Sequence, residues 1–473
     1  MRPSRRTFLA QSLASTGLLS IGPGQAAASE SLIIDNVTGL YSVEVARIET
    51  PRSVDEVVAL VRGWPGQIAI GGGRYSMGGQ VAVRAGLHLD MRHMNKIVWL
   101  RRSEQVVRVQ AGIRWRDLQD HIDALGLAVK TMQSYSNFTV GGSVSVNCHG
   151  RYVGHGPIGN TVRALQLVLA DGTVVESSPT ERSDLFRAAI GGYAAIAAIT
   201  EVELELAENV RIERTVETMS LEIYVSFFKE KVLADERAVL HNADLLPPMF
   251  DFPVSVTWRH TPNSTPLTET NRLVPRDESY VLERSAIWAI TELPGGQALR
   301  KKIILPMRLG EPAVKWLNCE ASLDVAELEP WTRAASTYVL QEYFIPERYA
   351  VDFVREMAMV LQKHHVAILN ISVRHAPADT ISLLPWARED VFCFVLYYKQ
   401  RTWASAQDVV GDWTRKLIDL AIQRGGRYYL PYQLHATKRQ FESAYPESAQ
   451  LRQLKRRMDP MGKFSNELWR KYL

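Results

Sequence analysis

The chain has 473 residues, enough for two or three domains with substantial cores, and its composition is that of an ordinary globular protein. Its formal charge is +4, of which Arg2, Arg5 and Arg6 supply three with no acid before Glu30. No basic block, repeat or low-complexity tract occurs, so no nucleic-acid partner is expected, and no apolar run suits an integral membrane span. Cys148, Cys319 and Cys393 are an odd, widely spaced set, which gives neither a disulfide framework nor a zinc pattern, and no metal is expected.

In chain order, the first feature is an address. Ser4-Arg5-Arg6-Thr7-Phe8-Leu9 looks like a twin-arginine export motif, a weakly apolar segment follows, and Ala26-Ala27-Ala28 offers a small-residue cleavage site. Residues 1–28 are expected to be a signal peptide and the mature protein to be periplasmic or secreted. That route carries folded proteins, which suits a cofactor loaded before export. Next, Ser53 is positioned to cap a helix with Glu56 three residues on, the spacing of a capping box, and Val57, Val58, Leu60 and Val61 give it an apolar face.

A short apolar strand, residues 67–70, then empties into five glycines within nine residues, Gly71-Gly72-Gly73-Arg74-Tyr75-Ser76-Met77-Gly78-Gly79, followed by Gln80. Glycine lets successive N–H groups turn toward an anion with no Cβ in the way, so the loop can hold a diphosphate. It lacks the Gly-Lys-Ser/Thr of P-loop NTPases, and Ser76 stands where a dinucleotide fingerprint needs its third glycine. A glycine-rich turn between strands is the other reading. Residues 87–91 alternate like a strand, 97–110 suit a hairpin and 115–125 an amphipathic helix.

A second cluster runs from Gly141-Gly142-Ser143-Val144-Ser145-Val146-Asn147-Cys148-His149-Gly150 to Gly159-Asn160. A strand at 162–169, an Asp171-Gly172 turn and a return strand follow, then Asp184-Leu185-Phe186 and Ile199-Thr200-Glu201-Val202. The glycine loop and this second block resemble the vanillyl-alcohol oxidase/p-cresol methylhydroxylase superfamily of FAD enzymes, and within it decaprenylphosphoryl ribose oxidase and the aldonolactone and alditol oxidases. The resemblance implies that Gly71, Gly72, Gly73, Arg74, Tyr75, Ser76, Gly78 and Gln80 grip the flavin diphosphate. It also implies that Gly141, Gly142, Ser145, Asn147, Cys148, His149, Gly150, Gly159, Asn160 and Ile199 line the cofactor, joined by Asn466 of the tail. Many members bond a His at the position of Arg74 to the flavin, so the expected FAD is non-covalent, with Cys148 the one residue able to restore a link. Tyr193 to Ala198 departs from the glycines that relatives place there.

From about 209 to 424, strand-like segments (254–260, 337–344, 366–375, 391–399) alternate with helical ones (221–237, 348–364, 405–423), and 263–284 reads as a loop. The expected fold class is α+β: a two-part FAD-binding domain at 35–206, a substrate or cap domain with an antiparallel sheet at 207–424, and a segment at 425–473 that returns to the FAD domain. Glu342-Tyr343-Phe344-Ile345-Pro346 looks like a strand of the alditol oxidases. Ile371-Ser372-Val373-Arg374 aligns with their Glu-x-Arg strand, with Ser372 in place of the Glu. Arg374 is either a group that polarises substrate oxygen or a surface salt bridge. Tyr432, His435 and Tyr343 are the candidate bases. The resemblance implies an oxidoreductase acting on the CH–OH group of a sugar, aldonolactone or polyol by hydride transfer to flavin. Its electron acceptor would be oxygen, a quinone or a redox protein. The alternatives are a dehydrogenase for an isoprenoid-linked sugar or an amine, and a non-catalytic flavin-binding protein.

Overall fold

The computed structural model describes residues 32–293 and 313–473. The expected signal peptide, residues 1–28, lies outside them. Three sheets matter to the site. Arg47–Glu49, Leu87–Asp90 and Ile68–Gly71 form a small parallel sheet. Its cover is the helix Val54–Gly63, whose buried Val57 and Val61 sit in one apolar cluster with Ile68, Leu87 and Leu89. Ser53 caps this helix by accepting from Glu56 N–H, but the Glu56 carboxylate reaches one residue further back than a capping box requires, to Arg52 N–H at 2.8 Å.

An antiparallel sheet of six strands follows, with Ala197–Glu208 at its centre, Val162–Leu169 on one side and Val106–Gln110 on the other. The expected hairpins at 97–110 and 162–177 are both in it. Between them, Val140–Ser145 is a short helix. Glycine is needed here because Ala111, through its Cβ and carbonyl, presses on Gly141 and leaves no room for a side chain, while Gly142 lies against the Thr139 hydroxyl.

The third sheet has eight strands, all antiparallel, in the order Val314–Trp316, Arg211–Thr218, Val254–His260, Ala238–Leu245, Ile368–Ala376, Val391–Arg401, Ser336–Pro346 and Arg427–Tyr428. The helices Ala350–Lys363 and Ala404–Gln423 cover one face, where Phe353 meets Tyr343 and Phe394, and Trp413 meets Tyr398. Side chains alternate faces along a strand, so the residues between those core positions point the other way. That second face carries Leu340 and Glu342, Val395 and Tyr397, and Asn370, Ser372 and Arg374, all on the walls of clefts. The strand Ala238–Leu245 escapes sequence patterning because its buried residues include His241, Asn242 and Asp244. A helix, Val281–Glu292, begins inside the segment read as a loop. Among the described residues no helix is long and apolar enough to cross a membrane.

Candidate active site

Three clefts meet between the glycine loop and the open face of the large sheet. The first, of about 1300 Å³, is lined by Gly72 to Met77, by Cys148 and His149, and by Glu342, Arg374 and Tyr432. A second, of about 650 Å³, shares Gly72, Ser76, Thr139, Gly142 and Val146 with it and adds Gly71, Gln80, Gly141, Ser145, Tyr193, Ala194 and Ile199. The third, of about 1410 Å³, joins the first at Arg374, Val395 and Tyr397 and runs across the large sheet.

The glycine loop leaves its strand with Arg74 in the left-handed region at φ 60°. No described residue accepts from the N–H groups of Gly73, Arg74, Tyr75 or Ser76. Consecutive free donors beside a left-handed residue are the chemistry of an anion nest, so this stretch fits a diphosphate. A Cβ on Gly73 would lie 2.8 Å from the Tyr75 ring, which leaves the wall no room to thicken. The Arg74 guanidinium is turned to Asp90, 3.1 Å away, which also holds Arg92. It is thus already paired, with only its Nε buried and without a partner. Gln80 fastens the loop to the tail: its Nε2 donates to the carbonyls of Leu430 and Tyr432, both at 2.8 Å, and its Oε1 accepts from Gly78 N–H. That contact delivers Tyr432 to the first cleft.

At the meeting of the loop and the sheet, Glu342 is buried, with His149 Nε2 2.5 Å from its Oε1 and the Tyr432 hydroxyl donating to its Oε2 at 3.1 Å. Burial, reinforced by the neighbouring Glu342, raises the Tyr432 phenol far above its ordinary range, so Tyr432 keeps its proton and serves as a donor. Arg374 makes no hydrogen bond or ion pair with any described residue, and its Nε is buried without a partner, which removes the surface salt-bridge reading. Ser372 faces Val395 across the sheet, and Val395 faces Glu342 on its other side. The carboxylate absent from position 372 therefore occurs in the same cross-strand row, two strands over.

Two candidate bases are elsewhere. Tyr343 points to the opposite face of its strand and is sealed in the core against Phe353, as the alternation of side chains requires. His435 lines none of the three clefts, and burial, with Lys471 and Arg415 nearby, lowers its pKa to about 4. Several residues expected at the cofactor stand behind the wall. Gly78 is held by Gln80, and Asn147 accepts from Gly159 N–H at 3.0 Å while donating to Asp379. Gly150 lies against the Met132 carbonyl, Asn160 donates to the His155 carbonyl, and Asn466 donates to the Tyr193 carbonyl. Cys148 does line the first cleft, buried, and burial raises its thiol so that it stays protonated. All three cysteines are free. Tyr193 and Ala194, on the second cleft in the stretch where the resemblance implied glycine, take left-handed backbone at φ 48° and 54°.

The family model described as FAD binding domain matches residues 45–178, and the one described as D-arabinono-1,4-lactone oxidase matches residues 332–472. Similar curated proteins include L-gulonolactone oxidase of Mus musculus, 26% identical over 87% of this chain and 91% of its own length. Alditol oxidase of a Streptomyces species is 26% identical over 78% of this chain and 82% of its own. Decaprenylphosphoryl-beta-D-ribose oxidase of Mycolicibacterium smegmatis is 25% identical over 87% and 90%. These matches span both the glycine loop and the sheet that carries Glu342 and Arg374, and they mark the chain as an FAD-linked oxidoreductase with the FAD-binding and D-arabinono-1,4-lactone oxidase domains.

Proposed function

We propose that this enzyme oxidises a CH–OH group of an aldonolactone, polyol or related sugar. The observation that carries the reading is the pairing of a hydrogen-bonded carboxylate, Glu342, with an unpartnered guanidinium, Arg374, on one sheet face at the junction of two clefts. The names of the similar oxidases support the substrate class. FAD, when bound, supplies the hydride acceptor. The free N–H groups of residues 73–76 would hold its diphosphate, and Cys148, His149 and Val146 would lie beside its ring system. With Arg74 at the linking position and Cys148 a protonated thiol, the attachment is non-covalent.

Glu342 takes the proton of the substrate hydroxyl as the carbon gives up hydride. Tyr432 and His149 fix the orientation of that carboxylate. Arg374 meets the substrate oxygen and stabilises the charge that develops on it. In domain terms, the small parallel and six-stranded sheets are read as the two parts of the FAD-binding domain, residues 35–206. The large sheet is read as the cap, 207–424, and 425–473 as the returning tail. The twin-arginine motif supports a periplasmic or secreted site of action. The test is anaerobic mixing of the yellow holoprotein with lactones, polyols and free sugars. Bleaching by at least one is expected; no bleaching by any would favour a flavin-binding protein without turnover.

A further inference from the structure

The third cleft is larger than one sugar ring needs, and its far end is built from charge. Glu320 is bonded there by two cations at once: Arg151 reaches its Oε1 at 2.6 Å, and Lys315 reaches its Oε2. One carboxylate between two cations leaves a positive charge unbalanced. Although burial opposes ionisation, Arg151 and Lys315 hold the Glu320 carboxyl below its usual range, so the carboxylate is committed to them. Lys315 also lies 4.8 Å from the centre of the Trp258 ring, and Arg214 approaches the same ring at 5.8 Å. Trp258 is 3% exposed, lines the cleft, and has a buried indole N–H with no acceptor.

The two remaining acids on the cleft are engaged. Asp244 accepts from Asn370 at 3.0 Å, and Glu327 accepts from the Tyr135 hydroxyl at 2.7 Å with its pKa raised by burial. What the cleft holds in reserve is therefore donors and positive charge: Trp258 N–H and the surplus of the Arg151–Glu320–Lys315 trio at one end, Arg374 at the other. A buried donor without an acceptor is costly, so it marks the place of a ligand acceptor. The strands of Trp258 and Arg374 have one strand between them, on which Trp258 faces Leu240 and Val373 faces Ala243, so two strand gaps of roughly 4.8 Å and an offset of two residues at roughly 3.3 Å each put them about 12 Å apart. That is the reach of one sugar and a terminal substituent.

We propose that the substrate of this site is an anionic sugar, one end bearing a carboxylate or phosphate that binds at Lys315 and Trp258 while the hydroxyl to be oxidised lies at Arg374. This rests on the reading of the site as a sugar oxidoreductase and specifies its substrate.

Lys315→Met is the informative variant, because it removes the surplus charge and leaves the Arg151–Glu320 pair intact; Trp258→Phe removes only the N–H. Binding is read apart from turnover, as the melting shift of the holoprotein in gluconate, glucuronate or glucose 6-phosphate against sorbitol or glucose at equal concentration. Turnover is read as anaerobic flavin reduction by the same compounds. The expected result is a larger shift with an anion than with its neutral partner, and an apparent affinity for that anion about tenfold weaker in Lys315→Met, the loss of one charge-assisted hydrogen bond. A carboxylate and a phosphate are distinguished by which of the three anions acts. Equal shifts from anions and neutral sugars, or an anion shift unchanged in Lys315→Met, would overturn the proposal. Bleaching by neutral sugars with no anion preference sinks this inference and leaves the sugar-oxidoreductase reading standing. An anion shift lost in Lys315→Met without bleaching supports the anion site and counts against that reading.

Discussion

Glu342 shows how one carboxylate governs a site through what surrounds it. It is buried, bonded on one oxygen to His149 and on the other to Tyr432, and adjacent to the cleft that Arg374 closes. Glu342→Gln keeps the volume and one acceptor oxygen, its NH2 replacing the other, but not the basicity. The holoprotein should still purify yellow, with anaerobic flavin reduction slowed about a hundredfold or more, the usual share of a general base. Reduction at the wild-type rate would remove Glu342 from the chemistry. Cys148 raises a different question, the fate of the electrons. Its thiol forms part of the wall of the first cleft beside His149. Cys148→Gly is expected to speed reoxidation of the reduced protein by oxygen in stopped flow, because the gap opens a path. An unchanged rate would show that this wall does not select the acceptor and would leave oxygen on an equal footing with a quinone or redox protein.

At the scale of elements, the glycine loop works because nothing protrudes from it. In Gly73→Val the branched Cβ would press on the Tyr75 ring and crowd the N–H groups that face the cleft. The variant should fold and elute colourless, and full flavin occupancy would show that the loop does not hold the cofactor. The sequence made this loop, its strand and its capped helix visible because glycines, caps and apolar runs are local signals. The large sheet was visible in outline for the same reason, since its long strands alternate. Parity across strands was not visible. Tyr343 and Glu342 are neighbours, and only the register with Val395 and Ser372 reveals that one enters the core and the other the cleft. Trp258, Lys315 and Glu320 come from three separate elements and carry no shared motif, so only the fold brings them together. The helix at Gly141 and Gly142 was not legible, since glycine in a helix is disfavoured unless a neighbour demands it.

For the molecule as a whole, two buried histidines, His88 and His241, and the half-buried His435 set the response to acid. Burial lowers His88 and His435 to about 4 and His241 to about 3, with cationic neighbours adding to each. Their unfolded value is about 6.5. Because the folded values are depressed, the unfolded chain binds protons first, so stability is full above about pH 6.5 and falls as the pH drops toward 4 and then 3. Depressions of this size correspond to about 3 kcal/mol for His88 and His435 and about 5 kcal/mol for His241 by the usual conversion. Most carboxylates remain ionised down to about pH 5, which makes the window between about 6.5 and 5 diagnostic. Melting temperature should decline across that window, and His88→Gln should flatten part of the decline. A wild-type curve that stays level there would refute this assignment.

One join bears on how the protein is made. Ile68 N–H donates to the Lys463 carbonyl at 2.7 Å, Ser465 N–H donates back to Ile68 at 3.0 Å, and Asn466 and Trp469 hold the Tyr193 carbonyl. The strand that feeds the glycine loop is thus completed by residues almost four hundred positions later. During synthesis the loop emerges early and waits, its edge open, until residues 463–469 have followed it out of the ribosome. Cofactor capture is on this account a late event, and a chain that stalls before those residues would reach quality control empty.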